Sequence, residues 1–447
     1  SRDALDRCRE AAMSWMLEEA PEKVIIAAEI GGTCGEPETD HILYSCLAKS
    51  LAGSRFPDRQ VRSTQPYRIG YVLSGDNQPL STLPSIFARL ARSHNRRSFE
   101  PVFFSAYDRE GLLTSGRPHA ALGEITRAGF ELHCAPASDG VLLTSAISLA
   151  RTIYDQDVDV VVYQSQAPVY FVSALLRPAP VVVGFDHGNP HVYISTALDC
   201  AFSAVPRFSV EHKVNSVCLP PCFLNQELSE SAAISRESIG VPREAPLIVT
   251  AGLVPKFDPL IAGVADFFHE IGQVLRRNPD TYWCIVGITK ADVATFLSKM
   301  DPSCEARIRC VGVTSDITPY LKAATVYLDT FPISGGLTVH HAMRLGVPTF
   351  TYQFPFRKKF NKLSEYSVVG DFIQHGSVLL APENARAVAL KLEELINSSM
   401  AQEIHSREGL AVAQSLSDES TFIADFESQL RGLIEVASRT GPSVACL

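Results

Sequence analysis

Two tandem series of short β-rich runs alternating with helical stretches constrain this chain more than any other feature. The first series opens at Tyr67 with YRIGYVL and continues through EPVFFSA, ELHC, VDVVVY and VVVGF, with helical patterns at 83–92, 120–128, 142–154 and 169–176 between them. The second opens with LIVTAG after Pro246 and runs through TYWCIVG, IRCVG, TVYLD and PTFTY, again with helical stretches in the gaps. Near-continuous apolar strands separated by helices imply parallel sheets covered on both faces. Two series therefore predict two Rossmann-like domains with a ligand cleft between their strand C-terminal ends. The expected boundaries are a helical segment at 1–62, a first domain at 63–225, and a second at 226–447 that includes a helical tail. At 447 residues, two cores of ordinary size are expected on length alone.

Composition narrows the chemistry. Apolar residues at 46% and charged residues at 20% are those of a globular protein, and a formal net charge of -9 argues against a broad basic surface for nucleic acid. The most apolar stretch, 158–185, is interrupted by Gln164, Gln166, Pro168, Arg177, Pro178 and Pro180 and cannot supply a membrane span. Eleven cysteines lie scattered through apolar runs, as buried thiols in a reducing compartment would. Cys218 and Cys222 lack a second ligand pair at finger spacing, so no metal site is expected. The chain begins Ser1-Arg2-Asp3 with neither an initiator Met nor a signal-type apolar region; the expectation is a cytoplasmic protein, processed or with its natural start upstream.

The motif richest in chemistry is TVYLDTFPISGGLTVHHAMRLGVPTF, residues 325–350, a strand, turn, helix and strand in succession. A helix N-terminus presents free N–H groups and the positive end of the dipole, and Gly335-Gly336 lets an anion come close to the main chain. The competing reading of the glycines is packing alone. Two other segments end strands of the same series. In Gly252-Leu253-Val254-Pro255-Lys256 a lysine past a strand end can neutralise a phosphate, and in Cys310-Val311-Gly312-Val313 backbone groups can pair with the edge of a nucleobase. Together they describe a nucleoside diphosphate pocket. Neither a Walker lysine motif nor G-x-G-x-x-G opens either series, which argues against P-loop hydrolysis and nicotinamide chemistry.

These residues carry a family resemblance. The chain resembles GT-B glycosyltransferases, and most closely glycosyltransferase family 41, which contains the O-GlcNAc transferases and the bacterial enzymes that glucosylate Asn in adhesins. The block 311–350 is similar to that family's uridine and diphosphate-binding region; YRIGYVLSGDNQPLSTL resembles the opening strand and loop of its first domain, RRSFEPVFFS its second strand, PAPVVVGFDHGNPHVYISTALDCAFS its acceptor-side loop, and HKVNSVCLPPCF the segment leading to the linker. The likeness spans about residues 65–380. It implies that Lys256 holds the donor diphosphate, that Ser334, Gly335, Gly336, Leu337 and Thr338 offer it a helix end, and that Val311 touches the base. Two positions depart from the family: His341 stands where an Asp holds the ribose, and Gln78 where the O-GlcNAc transferases have a His. Glutamine cannot act as a general base, so Asp186, His187 and His191 are the candidate catalytic groups, with Asn189 positioning. The basic run Arg357-Lys358-Lys359 is either a solvated face or an attractor of an anionic ligand.

The resemblance implies an inverting, metal-independent transferase moving a hexose from a UDP-sugar to a protein or peptide side chain, with no cofactor beyond the donor. Three alternatives stay open: a lipid, saccharide or natural-product acceptor; an inactive GT-B scaffold; and an epimerase or phosphorylase on the same architecture.

Overall fold

The computed structural model describes residues 51–73, 83–106, 120–136, 142–163, 168–186, 198–203, 216–218, 228–257, 264–331, 335–352, 379–380 and 385–440. The chain divides into two compact units, the first running to Pro220 and resuming at Ser420, the second running from Pro221 to Glu419.

Unit 1 is built on a seven-stranded sheet with the order β3-β2-β1-β4-β5-β6-β7. Its strands are β1 Tyr67–Leu73, β2 Phe99–Ser105, β3 Glu131–Cys134, β4 Val160–Tyr163, β5 Val181–Asp186, β6 Cys200–Ser203 and β7 Ser216–Cys218. Every pairing is parallel. The connecting helices are α1 Leu83–Ser93, α2 Ala120–Arg127, α3 Leu142–Asp155 and α4 Pro168–Leu175. Because the order moves outward from β1 and then reverses at β4, right-handed crossovers place helices on both faces. That is why β4 and most of β1 are buried along their length.

Unit 2 repeats the plan with β8 Leu247–Ala251, β9 Tyr282–Val286, β10 Ile308–Cys310, β11 Val326–Leu328, β12 Thr349–Tyr352 and β13 Leu379–Leu380, in the order β10-β9-β8-β11-β12-β13. Its helices are α5 Val264–Arg277, α6 Ala294–Leu297, α7 Pro302–Glu305, α8 Thr318–Ala323, α9 Leu337–Arg344, α10 Ala385–Asn397 and α11 Ser399–Ser415. Period-2 alternation sorts the strand residues between two cores. Ile248, Trp283, Ile285, Val326 and Leu328 pack with Phe267, Phe268 and Leu392, whereas Leu247, Val249, Cys284, Val286 and Tyr327 pack with Val339, Met343 and Ala413. Trp283, fully buried, spends its indole N–H on Thr250 Oγ1 at 3.0 Å.

The tail is helical, as its pattern predicts; its last helix, α12 Glu419–Thr440, falls in the second domain by the expected bounds of 226–447. From Ser420 onward it is part of unit 1. Phe426 packs edge-on to Phe202 and Phe185, with ring centroids 5.0 and 5.9 Å apart. Beside it the carboxylate of Glu427 accepts from His94 Nδ1 at 3.0 Å and from the Asn95 N–H at 2.8 Å. His94 Nε2 in turn bonds Tyr71 Oη. Burial, with Glu427's charge added, pushes the Tyr71 phenol well above its ordinary pKa, so the hydroxyl donates. That leaves the His94 proton on Nδ1, facing Glu427. Of the expected helical segment at 1–62, residues 1–50 lie outside the described residues; beyond a short turn at Ala52–Ser54 the chain has no regular element until β1.

Candidate donor-nucleotide site

In an open parallel sheet, ligands bind where the strand order reverses, outside the strand C-terminal ends. For unit 2 the reversal falls between β8 and β11. Lys256 follows β8 in the short turn Val254–Phe257, and Asp329 follows β11 directly. The switch point is therefore flanked by a cation on one side and a carboxylate on the other. Gly252 packs between their surroundings: a Cβ on it would meet Thr330 Cγ2 at 2.7 Å and Lys256 Cδ at 3.3 Å. Lys256 is half-buried, and desolvation lowers its pKa while the charge of Asp329 opposes the change.

Asp329 is completely buried. Its Oδ1 accepts from the Thr330 N–H at 2.8 Å and from the Gly335 N–H at 2.6 Å, so one carboxylate oxygen ties the strand end to the entrance of α9. The two glycines there do different work. Gly335 is a matter of fit, since a Cβ would stand 3.0 Å from Asp329 Oδ1 and 3.1 Å from Tyr327 Oη. Gly336 is a matter of backbone: as N-cap it has φ 49° and ψ -99°, with open space where a Cβ would be. The N-cap of α9 is Gly336, which has no side chain with which to cap the helix. Thr338 in that turn bonds through its N–H to the Gly335 carbonyl at 3.1 Å. Tyr327, buried beneath the turn, has its phenol pushed well above its usual pKa by burial and then by Asp329.

Of the residues expected at the site, Lys256, Gly335, Gly336, Leu337 and Thr338 fall at the two strand ends beside the switch point. Val311 is two strands away, following β10, and its backbone is partly committed: its N–H donates to Ile285 O at 3.1 Å and its side chain packs on the core. The N–H of Gly312 is likewise used, by Ile288 O at 2.8 Å. Val313, 45% exposed, is the first residue past these bonds. His341 sits in the second turn of α9, half-buried, next to the buried His340. Burial lowers His340 to a pKa of about 4, and its Nε2 lies 3.3 Å from both Ala413 O and Ser417 Oγ, directed to α11 and away from the switch point. Asp186 closes β5 of unit 1, in register with Ser203. Ser334, His187, His191, Gln78, Asn189 and Arg357-Lys358-Lys359 lie outside the described residues. Asp199, which follows the expected acceptor loop, is structural: its Oδ2 accepts from Arg177 at 2.9 Å and from the Val182 N–H at 2.8 Å.

Sequence reasoning missed Asp329. The available signal was a carboxylate placed at a strand C-terminus immediately before a Pro/Ser/Gly turn. Among the described residues no group of three or more His, Cys, Asp or Glu is arranged to hold a metal ion, and no helix is long and apolar enough to cross a membrane.

Two doubly wound parallel units in tandem, the second with a cation and a helix N-terminus at its switch point, define the class: this is a GT-B fold. Solved structures that share it include a Thermobaculum terrenum O-GlcNAc transferase variant, with a TM-score of 0.65 and 16% identity over 94% of this chain and 78% of the other. A Rickettsia africae glycosyltransferase matches with a TM-score of 0.59 and 13% identity over 84% of this chain and 100% of its own. Anabaena HepE, solved in complex with UDP, matches with a TM-score of 0.57 and 12% identity over 83% and 100%. At these identities the likeness is one of fold. No protein-family model and no curated protein sequence matches the chain.

Proposed function

We propose that this protein is a glycosyltransferase that moves a hexose from a uridine diphosphate sugar to a protein or peptide side chain, with inversion and without a metal ion. The observation that carries the reading is the convergence, at the β8/β11 switch point, of Lys256 with the N-terminus of α9, whose entrance is held by Asp329. A diphosphate is the ligand that such a pair of positive groups stabilises. The uridine and the protein acceptor are supported by analogy with the UDP complex of Anabaena HepE and with the Thermobaculum terrenum O-GlcNAc transferase. The buried Cys200, Cys284 and Cys304 are thiols outside any disulfide, which fits a reducing, cytoplasmic setting.

In the proposed reaction an acceptor nucleophile attacks the anomeric carbon in line with the bond to the donor phosphate. The new bond forms as the C–O bond to phosphate breaks, and UDP leaves with the bonding electron pair. Lys256 and the α9 N–H groups meet the negative charge that gathers on the leaving diphosphate. The acceptor proton goes to a base, for which Asp186, His187 and His191 remain the candidates.

Calorimetric titration with UDP, GDP and ADP in the presence of a chelator tests the reading, comparing the parent chain with Lys256→Ala. A charge-assisted contact contributes about 1.5–3 kcal/mol, so UDP affinity should fall roughly 10–150-fold in the variant. If the parent binds no nucleotide, the inactive-scaffold alternative takes over. If it binds UDP but releases it from UDP-sugars only with small acceptors and never with peptides, the protein-acceptor part fails.

A further inference from the structure

We propose that Asp329 is a positioning residue of the donor site: one buried carboxylate both fixes the Gly335 turn in front of α9 and sets a negative charge across the switch point from Lys256. This rests on the donor-site reading above and goes beyond it by joining the two halves of that site through one side chain.

Burying a carboxylate completely is costly unless it is hydrogen-bonded or paired. Asp329 is completely buried, at the end of a three-residue strand. Local turn chemistry accounts for one of its bonds, the one from its neighbour Thr330. The bond from Gly335, six residues on, does something else. It pins the chain where the backbone must turn through Gly336 at φ 49° before α9 begins, and so sets the direction in which the first N–H groups of the helix point. A neutral acceptor could do that much. The reason for a charge is Lys256, whose stem lies against Gly252, as does the Thr330 side chain that follows Asp329. Withdrawal from water favours a neutral amine, and the carboxylate is the charge that opposes this. A lysine that lost its proton would retain reach but no attraction for a phosphate.

Two other ionisable groups among the described residues nearby, Tyr327 and His340, do not supply this effect. Tyr327 titrates far above neutral pH, raised by burial and by Asp329 itself. His340 of α9 turns toward Ala413 and Ser417.

Asp329→Asn separates the two roles. Its amide oxygen can still accept from Thr330 and Gly335, so the turn is retained, while the charge is lost. UDP affinity is measured by calorimetry in the full chain from neutral to alkaline pH. Wherever binding needs a protonated Lys256, affinity falls as pH rises through the pKa of that group in the free protein. The expected result is that this fall begins at lower pH in Asp329→Asn than in the parent, so the ratio of parent to variant affinity grows as pH rises. A merely structural aspartate would change affinity by a constant factor. Coincident alkaline limbs overturn the proposal while leaving the donor site intact, provided Lys256→Ala weakens binding; a parent that binds no UDP removes the donor-site reading itself.

Should the Asn variant fail to fold, Gly335→Ala approaches the same contact from the other side. Its new methyl group would meet Asp329 Oδ1 at 3.0 Å and Tyr327 Oη at 3.1 Å. UDP affinity should drop severalfold, with the alkaline limb unmoved because the carboxylate keeps its charge. Parent-like affinity in Gly335→Ala would refute the positioning role.

Discussion

Replacing Glu427 tests whether the last helix is clamped to unit 1 by its carboxylate. Glu427 is 5% exposed and accepts three bonds, from His94 Nδ1 at 3.0 Å, the Asn95 N–H at 2.8 Å and Arg431 Nη1 at 3.3 Å. The first two converge on the same oxygen, Oε1. In Glu427→Ala the His94 N–H is left buried without an acceptor, at about 1–3 kcal/mol, and the half-exposed Asn95 N–H adds about 1 more, giving ~2–4 kcal/mol. Glu427→Gln keeps one carbonyl-type oxygen where both bonds converge and gives up the outer pair with Arg431, which, partly exposed, is worth only about 0.3–0.5 kcal/mol. The glutamine variant should therefore lose about 1 kcal/mol or less. Since a chain of two units need not unfold in one step, the readout should be local: amide hydrogen exchange over α1 and α12. Acid should act in the same direction as the alanine substitution. Burial lowers the His94 pKa; burial pushes the Glu427 carboxyl up, but the bonds from His94 and Asn95 outweigh it and leave the pKa below the ordinary value. Both groups are thus depressed in the fold, so their stabilisation is complete above their unfolded pKa values. It is lost as pH falls, first through His94 below about 6.5 and then through Glu427 below about 4.3. Equal losses for Ala and Gln, or α12 exchange unchanged by either, would refute the clamp.

Two further predictions concern unit 2. Gly287 has φ 103°, and a Cβ on it would lie 2.4 Å from the carbonyl oxygen of Gly252. Gly287→Ala should therefore cost on the order of 3–5 kcal/mol and show as a lower melting transition, whereas a variant that melts with the parent would mean that the backbone relaxes freely. His340 has its pKa lowered to about 4 from 6.5 by burial, so the fold favours its neutral form; up to ~3 kcal/mol of stability, present above pH 6.5, should disappear as pH falls toward 4. Urea titrations of the parent and of His340→Gln across that range should show a shallower acid loss in the variant.

Element order was legible because it is written in local patterns. The runs LIVTA and YWCIV and the helix that follows Gly336 occur where apolar periodicity puts them, and the Lys256 and Gly335-Gly336 motifs mark strand ends by composition alone. What escaped depends on partners far along the chain. Nothing in the local sequence of Glu427 points to His94, 333 residues earlier, so that pairing could not be read. Asp329 looked like any polar residue ending a strand; its meaning comes from complete burial and from the bond to Gly335. For Val311 the sequence placed the residue but not its hydrogen bond to Ile285, which removes the N–H from the set available to a base. The strands β6 and β7 fall in segments that the sequence presented as an acceptor-side loop and as the approach to the linker, so neither was read as a strand.

Charge counting at the switch point bears on whether the proposed chemistry can dispense with a metal. A UDP diphosphate carries roughly three negative charges near neutral pH, the terminal phosphate having a second pKa of about 6. Among the described residues at the switch point, Lys256, the N-terminus of α9 at about half a positive charge and the opposing carboxylate of Asp329 sum to about +0.5. The remaining charge, more than two units, is left to solvent, to a divalent cation, or to basic side chains outside the described residues. β12 is parallel to β11, so the chain leaves it at the same end of the sheet as Lys256 and α9, and the next basic residues in the sequence are Arg357, Lys358 and Lys359. A metal-free mechanism predicts that UDP binds tightly in chelator, and a role for the cluster that this binding weakens when Arg357, Lys358 and Lys359 are neutralised; binding that appears only when magnesium is restored would withdraw metal independence from the proposal.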